Sequence, residues 1–369
     1  MIPVNRPVLD GNERRYLAEC IDTGWISSEG PFVKVLEAKF AQFMGCRHGV
    51  AVCNGSLAID LALAALKIGP GDEVILPTFT IISCAAAVVR AGAVPVVVDS
   101  AADTWNIDPA LIMAKVTART KAIMPVHIYG LPVDMDPVLD IARRHNLFVV
   151  EDAAEEHGQI YNGRPVGSLG EIAIVSFYPN KQVTTGEGGM VLTNDAQLAE
   201  RCRRLRNLAV DAERRYIHDE LGWNMRMSNL QAAVGVAQLE RIDQTLYAKR
   251  QIGAWYQEHF RGHPLLQLPL ERTSYAENLY WVFGVVLDDQ VPFDAREAIA
   301  RLRAKGVDAR HFFWPMHEQP ALRKLGLFAD ECCPVAERIA RRGLFLPSGV
   351  GTTREEVEKS AVALKEILQ

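Results

Sequence analysis

No G-x-G-x-x-G follows a strand-like run in this sequence, so a dinucleotide-dependent dehydrogenase is unsupported. There is no Gly-Lys dipeptide, which excludes a Walker A phosphate loop. HExxH and GxSxG are both missing, which removes the zincin and serine-hydrolase signatures. No cysteine pair is spaced CxxC. The seven cysteines, Cys20, Cys46, Cys53, Cys84, Cys202, Cys332 and Cys333, are odd in number, so reduced thiols are expected rather than a disulfide framework or zinc ribbon. A basic surplus is absent too: 40 Lys and Arg stand against 45 Asp and Glu, a net charge of −5. That balance argues against a nucleic-acid partner and leaves room for a local basic pocket. The opening Met1-Ile2-Pro3-Val4-Asn5-Arg6-Pro7 has no apolar signal core. The apolar run from Ile81 to Val98 is broken by Arg90, Gly92 and Pro95, which makes it a poor membrane span. A soluble cytoplasmic protein with no metal site is the expectation.

What is present is ordinary globular material. The chain has 369 residues, 49% apolar and 23% charged, enough for a large and a small domain with a sizeable core. Strand-like runs at Gly49–Cys53, Val74–Leu76, Val94–Val98, Ala122–Val126, Phe148–Val150, Ile172–Phe177 and Met190–Thr193 alternate with helical stretches at Leu57–Lys67, Ile81–Arg90 and Met135–His145. The alternation predicts an α/β fold with a mostly parallel sheet covered on both faces, its ligands at the carboxyl ends of the strands. Beyond about residue 230 the pattern changes. Leu230–Phe260 reads as one long or kinked helix, followed by a strand at Tyr280–Leu287 and helices at Asp294–Lys305 and Arg354–Leu368. The expected division is a large domain over 1–240 and a smaller C-terminal α/β domain over 241–369.

Three polar constellations fall at strand ends. Asn54-Gly55-Ser56 lies between a strand and a helix, where free N–H groups make an anion site; the plainer reading is a turn with Ser56 as N-cap. Glu151-Asp152-Ala153-Ala154-Glu155 ends an apolar strand. A carboxylate at Asp152 can hold a proton on a heterocyclic nitrogen, or simply cap a helix starting at Ala153. Ser176-Phe177-Tyr178-Pro179-Asn180-Lys181 precedes Thr184-Thr185-Gly186-Glu187-Gly188-Gly189. A turn lysine is ordinarily solvated, but one held among small and polar residues can act as a nucleophile. The glycine-rich run itself suits a tight turn. Arg203, Arg204 and Arg206 read as a solvated helix face, with diphosphate binding as the alternative.

These pieces, with Thr23-Gly24-Trp25-Ile26-Ser27-Ser28-Glu29-Gly30-Pro31-Phe32-Val33, Pro77-Thr78-Phe79-Thr80, Pro315-Met316-His317 and Leu346-Pro347-Ser348-Gly349, resemble the DegT/DnrJ/EryC1/StrS sugar aminotransferases over nearly the whole chain. The resemblance implies the fold type I of pyridoxal 5'-phosphate enzymes. It implies that Lys181 bonds the cofactor and, once released, moves the proton, and that Asp152 pairs with the pyridine nitrogen. Glu155 would sit near the ring face or its 3-hydroxyl, Gly55, Ser56 and Ser176 would hold the phosphate, and Phe79 would stack on the ring or be a core aromatic. Asn224, in Gly222-Trp223-Asn224-Met225-Arg226, would reach the phosphate of a neighbouring subunit's cofactor, which implies a homodimer with shared active sites. Trp25, Ser27, Ser28, His311 and His317 would meet the sugar nucleotide, with a structural role as the plainer reading of His317.

A sugar 3-dehydratase branch of the family carries His where this chain has Lys181, so the resemblance implies transamination. The opening segment and the 184–189 run are most similar to members that move an amino group from L-glutamate to C4 of GDP-4-keto-6-deoxymannose, for surface-polysaccharide synthesis. Gln182-Val183 stands where those members more often have Thr-Ile, and Pro179 is a second departure. A dTDP- or UDP-ketosugar, an aminocyclitol or a non-catalytic regulatory role are the alternatives.

Overall fold

Seven strands form the central sheet of the computed structural model, which describes residues 1–210, 214 and 216–369. They are β1 (His48–Val52), β2 (Glu73–Pro77), β3 (Val94–Val98), β4 (Thr120–Ile123), β5 (Phe148–Asp152), β6 (Ile172–Ser176) and β7 (Gly189–Thr193). Across the sheet the order is β1-β7-β6-β5-β4-β2-β3. β3, β2, β4, β5 and β6 are mutually parallel, whereas β7 runs against both β6 and β1. The sheet is therefore mixed and mostly parallel, as expected. The strand predicted over 122–126 stops at Ile123; Met124 still donates to the Ile75 carbonyl at 2.7 Å, but the chain beyond it turns toward the strand ends.

Both sheet faces are buried, and the period of two shows in which core each residue joins. Val50, Val52, Val74, Leu76, Ala122, Ile172 and Ile174 pack on one side, with helices α3 (Gly55–Ala65) and α4 (Ile82–Arg90). Ala51, Ile75, Ile123, Ala173 and Val175 pack on the other, with α2 (Pro31–Phe43) and α5 (Met135–His145). The N-terminal α1 (Glu13–Thr23) and α2 were not resolved by periodicity. Past β7, α6 (Ala196–Arg206) carries the arginine run.

The expected 230–260 helix is two helices, α7 (Asn229–Leu239) and α8 (Ile242–Phe260). The interruption falls at Glu240-Arg241. Ser228 starts α7 with a capping box to Gln231. Beyond α8 lies an antiparallel sheet of β8 (Leu266–Gln267), β9 (Phe283–Leu287), β10 (Arg310–His311) and β11 (Gly343–Leu346), in the order β8-β9-β11-β10. β9 thus has partners, chiefly β11, which the sequence hid because its four residues follow directly on α10 (Pro334–Arg342). Helices α9 (Ala295–Ala304) and α11 (Arg354–Ile367) cover this sheet.

Residues from the C-terminal part of the chain also pack on the large sheet. Trp281, Phe312, Met316 and Ile339 join the core on the α3–α4 side of the large sheet. The first residues of the chain also lie on the C-terminal unit. Ile2 bridges to Val307, the Val4 carbonyl accepts from Ser348 N at 3.1 Å, and Asn5 Nδ2 donates to the Pro179 carbonyl at 3.0 Å. Among the described residues no helix is long and apolar enough to cross a membrane.

Candidate active site

A cleft of about 350 Å³ opens where β1, β5 and β6 end. Its floor at the β1 end is the turn into α3. Asn54 is extended, and its side chain accepts from Leu57 N at 2.9 Å, so Asn54 rather than Ser56 is the N-cap. Ser56 is thereby free to face the cleft, where its Oγ lies 2.8 Å from Ser83 Oγ. The turn needs its glycine for close approach: a Cβ on Gly55 would lie 2.8 Å from Ser176 Cβ. Ser176 ends β6, and its Oγ accepts from Tyr178 N at 3.3 Å. The first-turn N–H groups of α3 and these hydroxyls make an anion cradle.

Asp152 ends β5 and is buried. Its Oδ2 accepts from Cys84 Sγ at 3.2 Å and its Oδ1 from Ala154 N at 3.1 Å. No helix starts at Ala153. Burial pushes the carboxyl's pKa up, opposed by these donors and by the positive charge of Lys181. Glu155 is also buried, and its Oε2 accepts from Tyr129 N at 2.7 Å. Burial raises its pKa to about 7 against the attraction of Lys181.

Lys181 is not a solvated turn lysine. Its Nζ lies 3.7 Å from Glu155 Oε1 and 3.9 Å from the centroid of the Trp281 ring. Burial lowers its pKa, while Glu155 and Asp152 work in the opposite sense. The turn that carries it is fixed by Phe177 N to the Gly188 carbonyl and by Trp281 Nε1 to the Asn180 carbonyl, both at 2.9 Å. The glycine run 186–189 does serve a turn: Gly186 has φ +79°, and a Cβ on Gly189 would lie 2.6 Å from Asn54 C.

Gly55, Ser56, Asp152, Glu155, Ser176 and Lys181 therefore meet in one cleft. The other sequence candidates do not. Phe79 is fully buried behind the wall, edge-on to Tyr129 and Phe313; Phe313 is the ring of that group that lines the cleft. His317 is buried away from the cleft, with Nδ1 2.7 Å from Thr78 Oγ1 and Nε2 3.1 Å from Glu337 Oε1, a bracket between β2 and α10. His311 is exposed on β10, outside the cleft. Trp25, Ser27 and Asn224 are exposed and lie off the cleft, although the Trp25 carbonyl accepts from Asn229 Nδ2 at 2.6 Å. Arg203, Arg204 and Arg206 line a separate groove with Lys34 and Arg226, where Arg206 pairs with Glu37 at 2.6 Å. Sequence reading missed Trp281, Ser83 and Cys84. Nothing in the order of the chain signals a tryptophan a hundred residues past the lysine it covers.

The sequence profile of the DegT/DnrJ/EryC1/StrS aminotransferase family matches residues 7–365. GDP-perosamine synthase of Caulobacter vibrioides is 44% identical over 369 residues, covering 100% of this chain and 98% of the relative. GDP-perosamine synthase of Vibrio cholerae is 38% identical, covering 99% of this chain and 98% of its own length. Among solved structures, DesV of S. venezuelae superimposes with a TM-score of 0.89 at 36% identity, covering 96% of this chain and 94% of that one. The aminotransferase TlmJ of Streptoalloteichus hindustanus gives 0.93 at 29% identity, covering 100% and 99%. With the profile spanning nearly every residue, the chain belongs to the DegT/DnrJ/EryC1/StrS aminotransferase family.

Proposed function

We propose that this enzyme uses pyridoxal 5'-phosphate to move an amino group from L-glutamate to C4 of GDP-4-keto-6-deoxymannose, giving GDP-perosamine. The observation that carries this reading is the match, end to end, to GDP-perosamine synthases, with a lysine in the cleft whose side chain is only 10% exposed. Cytoplasmic synthesis of a surface-polysaccharide precursor is the corresponding role.

The residues present fit the cofactor. A phosphate matches the cradle of Gly55, Ser56 and Ser176, which a Cβ at 55 would crowd. A protonated pyridine nitrogen matches Asp152, a buried acid whose negative form needs a positive partner. An aldehyde matches Lys181, an amine whose pKa burial lowers. When bound, the cofactor supplies an electron sink for the carbon that loses its proton. The chain's own groups do the rest. Asp152 would hold the proton at the pyridine nitrogen. Lys181 Nζ, as the free base, would carry the proton from Cα of glutamate to C4′ of the cofactor, and in the second half-reaction would carry the proton from C4′ to C4 of the sugar. Glu155, fixed by Tyr129 N, keeps that amine in place.

We further propose a homodimer. Trp25, Ile26, Leu221 and Trp223 are exposed apolar side chains close in sequence to Ser27 and Asn224. A second copy over them would bury this surface and bring Asn224, Trp25 and Ser27 toward a cleft they do not reach within their own chain. His311 would meet the sugar nucleotide at the cleft's outer rim.

The test is incubation with the cofactor, nitrogen-15 glutamate and GDP-4-keto-6-deoxymannose, followed by mass spectrometry. Label in the GDP-sugar is expected. Unlabelled sugar from enzyme that takes up cofactor would overturn the substrate assignment, and transfer to a dTDP- or UDP-ketosugar would replace it.

A further inference from the structure

The long helix α8 buries an amine with no acid beside it among the described residues. Lys249 is 2% exposed, and its Nζ donates to the Trp281 carbonyl at 2.6 Å and to the Ser348 carbonyl. Among the described residues no carboxylate contributes to its state; burial lowers its pKa, to about 7. Burying a lysine this way is costly, and its hydrogen bonds are its only return. Those bonds fix two points of main chain: the residue beside Tyr280, where φ is +55°, and the segment after β11. Ser348 reinforces the second point by accepting from Phe283 N at 3.0 Å.

The first point is the residue that covers the reactive amine. The indole face of Trp281 receives Lys181 Nζ, its Nε1 donates to the carbonyl of Asn180 next to that lysine, and its ring stacks on Tyr129 at 24° and 5.9 Å. Tyr129 in turn donates its N–H to Glu155. Lys181 thus sits between an aromatic face and a carboxylate, and both walls are tied to the same ring. Gly130 permits the arrangement, since a Cβ there would lie 2.5 Å from Trp281 N.

We propose that Trp281 is an active-site residue that stabilises the free ammonium of Lys181, and that Lys249 is its positioning residue, holding the indole over the lysine. This rests on Lys181 being the reactive amine. The groups facing Lys181 are Glu155, Asp152 and Glu156, which favour its charge, buried neutral His157, and the indole. A cation over an indole face is favoured in its charged form. Removing the face therefore increases the fraction of neutral amine at a given pH, by about three- to thirty-fold for a desolvated pair.

The experiment uses cofactor-free enzyme, trace-labelled with acetic anhydride across pH, with acylation of Lys181 read by peptide mass spectrometry. Trp281→Leu is expected to raise Lys181 acylation at pH 7 by at least three-fold, with Trp281→Phe lying closer to wild type because it keeps a ring face. Lys249→Met is expected to move Lys181 in the same direction, and Lys249→Arg, which can still donate to both carbonyls, to restore it. Unchanged Lys181 acylation in folded Trp281→Leu, checked by circular dichroism, would overturn the proposal. A shift in Trp281→Leu with none in folded Lys249→Met would overturn the part given to Lys249. Wild-type enzyme that gains no visible absorbance with pyridoxal phosphate would instead overturn the functional reading on which both rest.

Discussion

The thiol of Cys84 donates to Oδ2 of Asp152 at 3.2 Å, with both side chains inside the protein. That places a weak, neutral donor on the acid proposed to hold the cofactor's ring nitrogen. Donors favour the ionised carboxylate, so removing one raises its pKa further. Cys84→Ala is expected to weaken cofactor binding about five-fold, equivalent to about 1 kcal/mol for a modest hydrogen bond. Cys84→Ser, which keeps a donor, should stay near wild type. Spectrophotometric titration of the cofactor-free enzyme measures both; equal affinities for Ala and wild type would refute the role.

Lys181→Ala and Asp152→Asn remove the proposed proton carrier and the proposed negative partner of the ring nitrogen. Each should lower turnover by roughly 10²–10⁴-fold or more while leaving the fold in place. Steady-state rates with matched circular dichroism spectra check this. Sustained turnover by Lys181→Ala would be incompatible with the assignment.

Gly55→Ala puts a methyl 2.8 Å from Ser176 Cβ. The contact is between two short side chains at the ends of β6 and α3, so the backbone must give. A loss of about 1–3 kcal/mol in unfolding free energy is expected, with a clear fall in phosphate or cofactor affinity. Chemical denaturation and dialysis against inorganic phosphate read the two effects separately.

His157 sets a pH limit on the stability of the cofactor-free protein. It lies between Phe40 and Phe177 with Nδ1 accepting from Val183 N at 3.3 Å, and burial lowers its pKa to about 3. The unfolded chain takes up a proton below about pH 6.5 while the folded chain does not, so stability from this group is lost as pH falls from 6.5 toward 3. The slope is at most about 1.4 kcal/mol per pH unit. In His157→Gln the melting temperature should fall less between pH 6.5 and 4; parallel curves for the two proteins would show that His157 is not responsible.

Much of the site was legible because its chemistry is local. Asp152 and Ser176 each end an apolar run, Lys181 follows within one turn, and Asn54-Gly55-Ser56 begins a helix directly after a strand. Such signals live in a few consecutive residues. The helix expected over Leu57–Lys67 from its spacing is Gly55–Ala65, and the helix Met135–His145 and the strand Val94–Val98 fall where they were expected. What stayed hidden depends on distant pairing. β11 has four residues and acquires meaning only beside β9. Phe79 follows the end of β2, as a cleft residue would, but the ring group of Tyr129, Phe312 and Phe313 takes it into the core. Trp281 and Lys249 belong to the site through contacts across more than thirty and a hundred positions, respectively between themselves and to Asn180.

The reversal of β7 bears on how this scaffold can diversify. Because β7 runs against β6, the chain leaves the sheet at Ser176 and returns at Gly189 on the same edge, and the amine rides on a short arch clamped at both feet. An added or deleted residue in the arch would swing Lys181 off Glu155 and Trp281, so its length has little latitude. The segment from Trp25 to Ser28, together with His311 and Trp314, lies outside the arch and off the cleft. On the proposed roles, changes at those positions could alter the sugar accepted while the arch is inherited unaltered, so that one part of the molecule is free to vary while the other is held to a fixed length.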